Sequence, residues 1–550
     1  MISIQEISLA ITHSENKLQD KIAEILGLGA DEVKKFVIKK RAIDSRKKKQ
    51  MIFFVYTVEV DATDLQNTTD TTEIKMKKEK EEDIIKNIDE RLMKIHRIEI
   101  KQPYVYEIPE VTGKLAKRPI VVGTGPCGMF SALILAKAGL KPLVIERGGD
   151  VEARIEDVGL FMDGGKLNLE SNIQFGEGGA GTFSDGKLNT LITNPRIKYI
   201  FEEFVKAGAP DSILWDAKPH IGTDKIREVA KNIRKEIIKF GGEVRFNTTL
   251  TNIDIKKNKI TGVTLNNKET IETDTLILAI GYSARDTYEM LFEKKLNFEQ
   301  KNFAIGVRIE HKAEMINESQ FDKFFKNEKL GSAKYKLVSH SDENRSVYTF
   351  CMCPGGFVMP STAQENCVVT NGMSEYAQDG VNSNSALLVN VGREDFESDH
   401  PLAGIAFQKE WEQKAFELGG SNYNAPVQCV GDFLRYKSTK QMRSVAPTYK
   451  PDYTMTELDK CLPKFVVKSL REALPKLDQK IKGFAHPDAV MTAIETRSSA
   501  PVRITRDKET MQSNITGIYP AGEGSGYAGG IVSSAVDGMI VAEKILRNES

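Results

Sequence analysis

The hydrophobic positions of the first hundred residues change period several times. Ile2 to Ile11 alternates apolar with polar, the pattern of a half-buried strand. Leu18, Ile22, Ile25 and Leu26 then recur at helical spacing behind Ser14, a residue able to cap a helix N-terminus. Phe36 to Ile43 and Met51 to Val60 read as two strands of a hairpin joined through Arg46-Lys47-Lys48-Lys49. A lysine-rich polar stretch follows. Ile84, Ile85, Ile88 and Leu92 predict a second helix, and Ile95 to Val105 a closing strand. The order β-α-β-β-α-β is that of a ferredoxin-like α+β fold, expected over residues 1–105.

From Arg118 the pattern turns to α/β. Ile120-Val121-Val122 is a short buried strand, Pro126 to Ala138 a helix, and Pro142 to Glu146 a second strand. Asp224 opens an amphipathic helix carrying Ile226, Val229, Ile233 and Ile237, which stops at Gly241-Gly242. Glu243 to Phe246 predicts a strand, a hairpin-like region runs to about Asp274, and Thr275 to Gly281 is again apolar. Residues from about 303 to 485 mix strands, loops and helices, and Gly517 to Leu546 returns to strand, turn and helix. The expected fold class is α/β. A Rossmann-like domain over 106–300 and 490–550 is interrupted by a mixed α+β insert, 301–489, that would hold substrate. No internal repeat is visible.

Composition narrows the function classes. At about 150 residues per domain, 550 residues make three to four domains. Lys plus Arg and Asp plus Glu number 77 each, so no global field points to nucleic acid or a membrane surface. The first residues lack the basic and apolar regions of a secretory signal. Gly529 to Ala542 contains Asp537 and falls short of the roughly 20 residues a membrane span needs. Six cysteines in a chain of this length form no disulfide framework. A cytoplasmic protein with reduced thiols is expected. The basic run Lys39-Lys40-Arg41 with Arg46 to Lys49 has two readings: an RNA contact, or a solvated hairpin whose lysines protect an edge strand. Phe53, Phe54 and Tyr56 fall on both faces of their strand, so no stacking platform emerges.

Gly123-Thr124-Gly125-Pro126-Cys127-Gly128 carries the chemistry. An apolar strand precedes it, an apolar helix follows, and Glu146 ends the next strand 18 positions after Gly128. Gly123 suits the tight turn, Gly125 lets backbone approach a pyrophosphate, and Gly128 lets the helix pack closely on the sheet. The helix N-terminus offers free N–H groups and its positive dipole end to phosphates, and Glu146 can accept from ribose hydroxyls.

These residues, with Glu146-Arg147-Gly148, Ala279-Ile280-Gly281 and Ile518-Tyr519-Pro520-Ala521-Gly522-Glu523, resemble the FAD-binding superfamily of glutathione reductase and p-hydroxybenzoate hydroxylase. The resemblance implies FAD as cofactor. It also implies a carboxylate on the ribityl chain, where this sequence has Glu523 in place of the usual aspartate. Phe175 to Lys187, Phe350-Cys351-Met352-Cys353-Pro354-Gly355-Gly356 and Ala521 to Gly530 further resemble, over essentially the whole chain, a bacterial family of FAD-dependent dehydrogenases. Gly178, Gly179 and Thr182 would then lie against pyrophosphate and flavin, and Gly522, Gly529, Gly530 and Ile531 near the flavin's pyrimidine edge. An FAD-dependent oxidoreductase acting on a small molecule is the expectation. The alternatives are a flavoprotein whose N-terminal domain recognises RNA or a carrier protein, and FAD as a structural element.

Catalytic candidates are fewer. Cys351 and Cys353 would share a face of an extended strand, either as a redox pair or as small buried apolar residues. Arg497 or Arg503 would clamp an anionic group or serve in an ion pair. Arg308 and His311 open the insert and would face the flavin. Seven histidines show no nucleophile or metal pattern, and no zinc or iron–sulfur spacing occurs. Only one GxGxxG is present, so electrons would come from transiently bound NADH or NADPH, from a protein carrier, or from the substrate.

Overall fold

The computed structural model describes the chain except residues 15, 34, 47–49, 62–70, 103, 113, 114 and 548–550. Lys47, Lys48 and Lys49 of the basic run therefore lie outside the described residues. The chain forms two compact units. One comprises Met1–Tyr106, Pro210–Pro219 and Gln320–Gly331, and the other Glu107–Ala209, His220–Ser319 and Ser332–Ser550.

The first unit is an antiparallel four-stranded sheet in the order Lys35–Asp44, Phe53–Asp61, Ile2–Ala10, Glu99–Ile100. Along Phe53–Asp61 every second residue is buried, Phe54, Tyr56, Val58 and Val60. The helix Lys17–Leu26 buries Leu18, Ile22 and Ile25 and ends at Gly27, whose φ of +67° closes the last turn. The closing strand is shorter than its sequence suggests. Asp89 accepts from Arg91 N at 2.7 Å and starts a helix, Glu90–His96, so Ile95 falls in its last turn and only Glu99–Ile100 pairs.

The outer edge of Lys35–Asp44 is not bare. Arg41 N donates to Trp215 O at 2.7 Å, Ala217 N donates to Arg41 O at 3.0 Å, and the Arg41 guanidinium lies 4.4 Å from the Trp215 ring. A segment from the middle of the chain thus pairs with this edge strand.

The second unit is built on a five-stranded parallel sheet in the order Ile518–Pro520, Leu276–Leu278, Ile120–Val122, Leu143–Ile145, Glu243–Arg245. Ile120–Val122, Leu143–Ile145 and Leu276–Leu278 are uninterrupted apolar triplets with every residue buried, as a parallel sheet covered on both faces requires. Helices Pro126–Lys137 and Ile531–Arg547 pack on each other. Their contact closes where Gly538 meets Cys127, because a Cβ there would lie 2.2 Å from Cys127 O.

A seven-stranded sheet completes the unit, in the order Val338–His340, Ser346–Cys353, Asn382–Val391, Phe303–Lys312, Val490–Glu495, Ala425–Cys429, Tyr453–Met455. Phe303–Lys312 lies between Asn382–Val391 and Val490–Glu495. Val490–Glu495, which opens the 490–550 segment, therefore belongs to the sheet of the insert. The expected extended run through Cys351 and Cys353 is broken. Pairing with Asn382–Val391 shifts register between Phe350 and Cys353, and Cys351 has φ +41°. Among the described residues no helix is long and apolar enough to cross a membrane.

Candidate functional site

The strand Ile120–Val122 ends in a turn that only glycine can make. Gly123 has φ +98°, and a Cβ on it would lie 2.4 Å from Ala279 O on the neighbouring strand. Gly128 sits in the first turn of Pro126–Lys137, where a Cβ would lie 1.9 Å from Gly123 O. Gly125 is different. The nearest atom to its Cβ would be Gly179 Cα at 3.9 Å, so backbone faces backbone across open space. Gly125 is the N-cap and makes no side-chain cap, and Pro126 follows as the first helical residue. The helix start therefore keeps unsatisfied N–H groups.

This turn lines a cavity with residues from far along the chain. Gly123, Gly125, Pro126, Glu146, Arg147 and Gly179 lie at one part of its wall. Gly281, Gly522, Glu523, Gly529, Gly530 and Ile531 form another, and Lys187, Cys351, Asn371, Glu495 and Arg497 a third. Of the residues singled out in the sequence, Gly128, Gly178, Thr182, Arg308 and Cys353 stand behind this wall rather than in it.

Their positions have clear causes. Gly178 packs on Thr182, whose Oγ1 donates to Glu177 O at 2.8 Å, so the two shape the loop under Gly179. Arg308 is fully buried. Its guanidinium donates to Glu495 Oε2 at 2.5 Å, Cys351 O at 2.9 Å, Asn384 Oδ1 at 3.0 Å and Asn371 Oδ1 at 2.7 Å. It supports three lining residues from behind. His311, three positions on, points to the opposite face of the strand, donates from Nε2 to Phe484 O (2.7 Å) and does not line the cavity. Burial pushes its pKa down to about 4. Arg503 also lies away from this cavity, against the Tyr527 ring.

Glu146 is engaged on both oxygens. Oε2 accepts from Thr124 N at 2.9 Å and Thr124 Oγ1 at 2.7 Å, and Oε1 from Gly148 N at 3.1 Å and Gly176 N at 2.9 Å. The carboxylate ties the glycine turn to the loop that carries Gly179, and a ribose hydroxyl would take over a lone pair now used by Thr124 Oγ1. Arg147 makes paired bonds to Glu170 and Asp286 and lies 4.2 Å over the Phe175 ring.

Two buried groups and one half-buried lysine have partners that were not legible in the sequence. Arg154, fully buried, donates to the carbonyls of Asn172, Ile173, Glu177 and Gly179 at 2.7–2.8 Å and so fixes the glycine loop. Glu412 lies between Arg285 and Arg497, accepting from both at 2.8–3.1 Å. The two guanidinium charges hold its carboxyl down at about 2 despite burial. One carboxylate between two guanidinium groups leaves net positive charge beside the cavity, and Arg497 Nη1 has no hydrogen-bond partner among the described residues. Lys187 pairs with Asp185 Oδ2 at 3.0 Å and approaches Cys353 Sγ at 3.8 Å. Glu523 is the main titratable group of the Gly522 wall. Burial pushes its carboxyl up to about 7, opposed by Lys301 and by the N–H of Gly530.

Fold and cavity fall together with what sequence comparison finds. Residues 302–498 match the family described as FAD-dependent protein, C-terminal domain-like. The chain belongs to the same family as an uncharacterized protein of Clostridium beijerinckii, 45% identical over 549 residues, 99% of this chain and 98% of that one. Residues 1–61 match a domain of unknown function (DUF8436). Among solved structures, a flavin-dependent brominase aligns with TM-score 0.35 and 11% identity over 78% of this chain and 79% of its own. The L-proline dehydrogenase of P. horikoshii aligns with TM-score 0.33 and 13% identity over 79% and 94%. At these scores neither likeness bears on the chemistry.

Proposed function

We propose that the cavity holds FAD and that the protein is an FAD-dependent oxidoreductase, a dehydrogenase or reductase, acting on a small molecule. The observation that carries this is the uncapped start of Pro126–Lys137 facing the backbone of Gly179 across open space. Bare N–H groups at a positive helix end suit an anionic group such as a pyrophosphate. In this reading Gly123, Gly125, Pro126, Gly128, Gly178, Gly179 and Thr182 form and support the pyrophosphate cradle. Glu146 and Arg147 lie toward the adenosine half, and Glu523 toward the ribityl chain. Gly281, Gly522, Gly529, Gly530 and Ile531 border the flavin.

The domain reading follows. A discontinuous Rossmann-like domain, 106–300 and the part of 490–550 that follows the strand Val490–Glu495, carries the cofactor, the insert with that strand covers it, and residues 1–105 form a ferredoxin-like domain. Bound FAD would supply two-electron redox chemistry. The chain's own residues would do the rest. Glu523 holds or releases a proton near neutral pH, and Arg497 offers a free N–H to an anionic group. Beside the cavity, and sharing Phe350, Ser498 and Gly529 with it, lies a second hollow lined by Asn302, Arg345, Tyr348 and Asn390. A small substrate would enter there.

The test is the visible spectrum of the purified protein, taken anaerobically before and after NADH or NADPH. A flavin spectrum is expected. Bleaching by one nucleotide would name the electron donor, and a stable spectrum would assign the electrons to the substrate or to a protein carrier. Absence of flavin even after FAD is added would overturn the reading.

A further inference from the structure

Cys351 and Cys353 stand where the seven-stranded sheet meets the cavity, and Cys351 lines it. On a regular strand, residues two apart face the same way at about 6.6 Å. That is the upper end of the Cα separations a disulfide spans, about 4.4–6.8 Å. Here the strand is not regular. The register break and the φ of +41° at Cys351 bring Cys353 Sγ within 3.3 Å of the Cys351 carbonyl oxygen. That backbone conformation is unfavourable for a residue with a Cβ and persists only where the surroundings hold it. Arg308 Nη1 and Cys353 Sγ both donate to Cys351 O, at 2.9 and 3.3 Å.

Two cations flank the pair. Lys187 reaches Cys353 Sγ at 3.8 Å, and Arg308 lies behind Cys351. The neighbouring Cys353 side chain and the charges of Lys187 and Arg308 lower the Cys351 thiol, while Cys351 and burial raise Cys353. One sulfur is thus favoured as thiolate and its neighbour keeps a proton, the arrangement of a reactive dithiol. The other four cysteines, Cys127, Cys367, Cys429 and Cys461, have thiols pushed up by burial and behave as small apolar residues.

We propose that Cys351 and Cys353 form a dithiol–disulfide couple that exchanges an electron pair with the flavin of the adjoining cavity, an inference that rests on the FAD reading above. In the oxidising direction the Cys353 S–H bond breaks and one S–S bond forms to the Cys351 thiolate. The electron pair and that one proton pass to oxidised flavin, which becomes its anionic dihydro form. In the other direction dihydroflavin returns them and the disulfide opens. Of the pair, Cys351 is the one at the cavity wall, and Lys187 compensates the thiolate charge.

The experiment uses the flavin-loaded protein. It is oxidised with diamide or reduced anaerobically with dithiothreitol, denatured with iodoacetamide present, and the peptide carrying both cysteines is weighed. The expected result is a cross-linked peptide after oxidation and a doubly alkylated one after reduction. A reductive titration of the wild type should also take up a second electron pair per bound flavin, lost in Cys351→Ser and Cys353→Ser when uptake is counted against the flavin each variant binds. Flavin present with both thiols alkylated in every state would overturn the couple alone. So would an electron uptake by wild type equal to that of a flavin-loaded Cys351→Ser protein. A cross-link formed by diamide in a protein that takes up no flavin would sink the FAD reading, and with it the electron partner named here.

Discussion

A Cβ on Gly128 would lie 1.9 Å from the carbonyl oxygen of Gly123. The helix can start only because both positions lack a side chain. Gly128→Ala should push the turn away from the sheet and cost about 1–3 kcal/mol, the usual range for overpacking. Denaturant melts should record that loss, and the flavin-to-protein absorbance ratio should fall with it.

Gly125 separates space from stability. Its Cβ position is open, with Gly179 Cα 3.9 Å away. Gly125→Ala should therefore fold normally, whereas Gly125→Glu should fill the cradle with a side chain and a negative charge where phosphates would bind. Flavin content should drop sharply in the glutamate variant at a near-normal melting temperature. Unchanged flavin content would remove the cradle from the FAD site.

Glu412 holds two guanidinium groups at once, Arg285 and Arg497. Glu412→Gln would leave both charges buried and incompletely paired, a loss of about 3–5 kcal/mol. The folded carboxyl is held at about 2, below its usual value, so its contribution is present above the usual carboxyl range and is lost as pH falls toward about 2. Wild type and variant should converge in stability in strong acid and diverge above it, which melts across pH will read.

Glu523 has the opposite sign. Its folded carboxyl is raised to about 7 by burial, so the fold favours the protonated form. Stability from this group is full below the usual carboxyl range and is lost as pH rises through about 7. Glu523→Gln, neutral throughout, should melt higher than wild type above neutral pH and show no such advantage in acid.

Arg308 joins Glu495, Asn371, Asn384 and the Cys351 carbonyl through one planar group. Arg308→Met should cost about 3–5 kcal/mol by leaving Glu495 buried without its cation. Arg308→Lys keeps the charge but not the fork. It should recover part of the stability, and the alkylation rate of Cys351 should shift in both variants.

Local pattern made much of this legible. The apolar triplets Ile120–Val122 and Leu276–Leu278 are each followed within three residues by a glycine, Gly123 and Gly281, and strands covered on both faces carry no polar positions, so run length alone marks them. The turn at Gly123 and the Glu146 strand end could be read for the same reason, since each requirement falls within one short segment. Ile95 to Val105 misread because an apolar pattern cannot distinguish a short capped helix from a strand, and the Asp89 cap tipped the balance.

Other relationships lay beyond any local signal. Arg308 meets Glu495 across 187 positions, and Lys187 meets Cys353 across 166. Pro210–Pro219 leaves the α/β unit to join the first. The amino-acid order by itself determined which segments are strands and helices, which faces are apolar, and where a helix begins with bare N–H groups. Only the tertiary structure decided which charges share a cavity wall, that Arg308 stands behind it, and that Cys351 faces it beside Cys353. Periodicity sets a side chain's direction relative to its own segment, whereas partners are chosen by how sheets pack, and packing is a property of the whole chain.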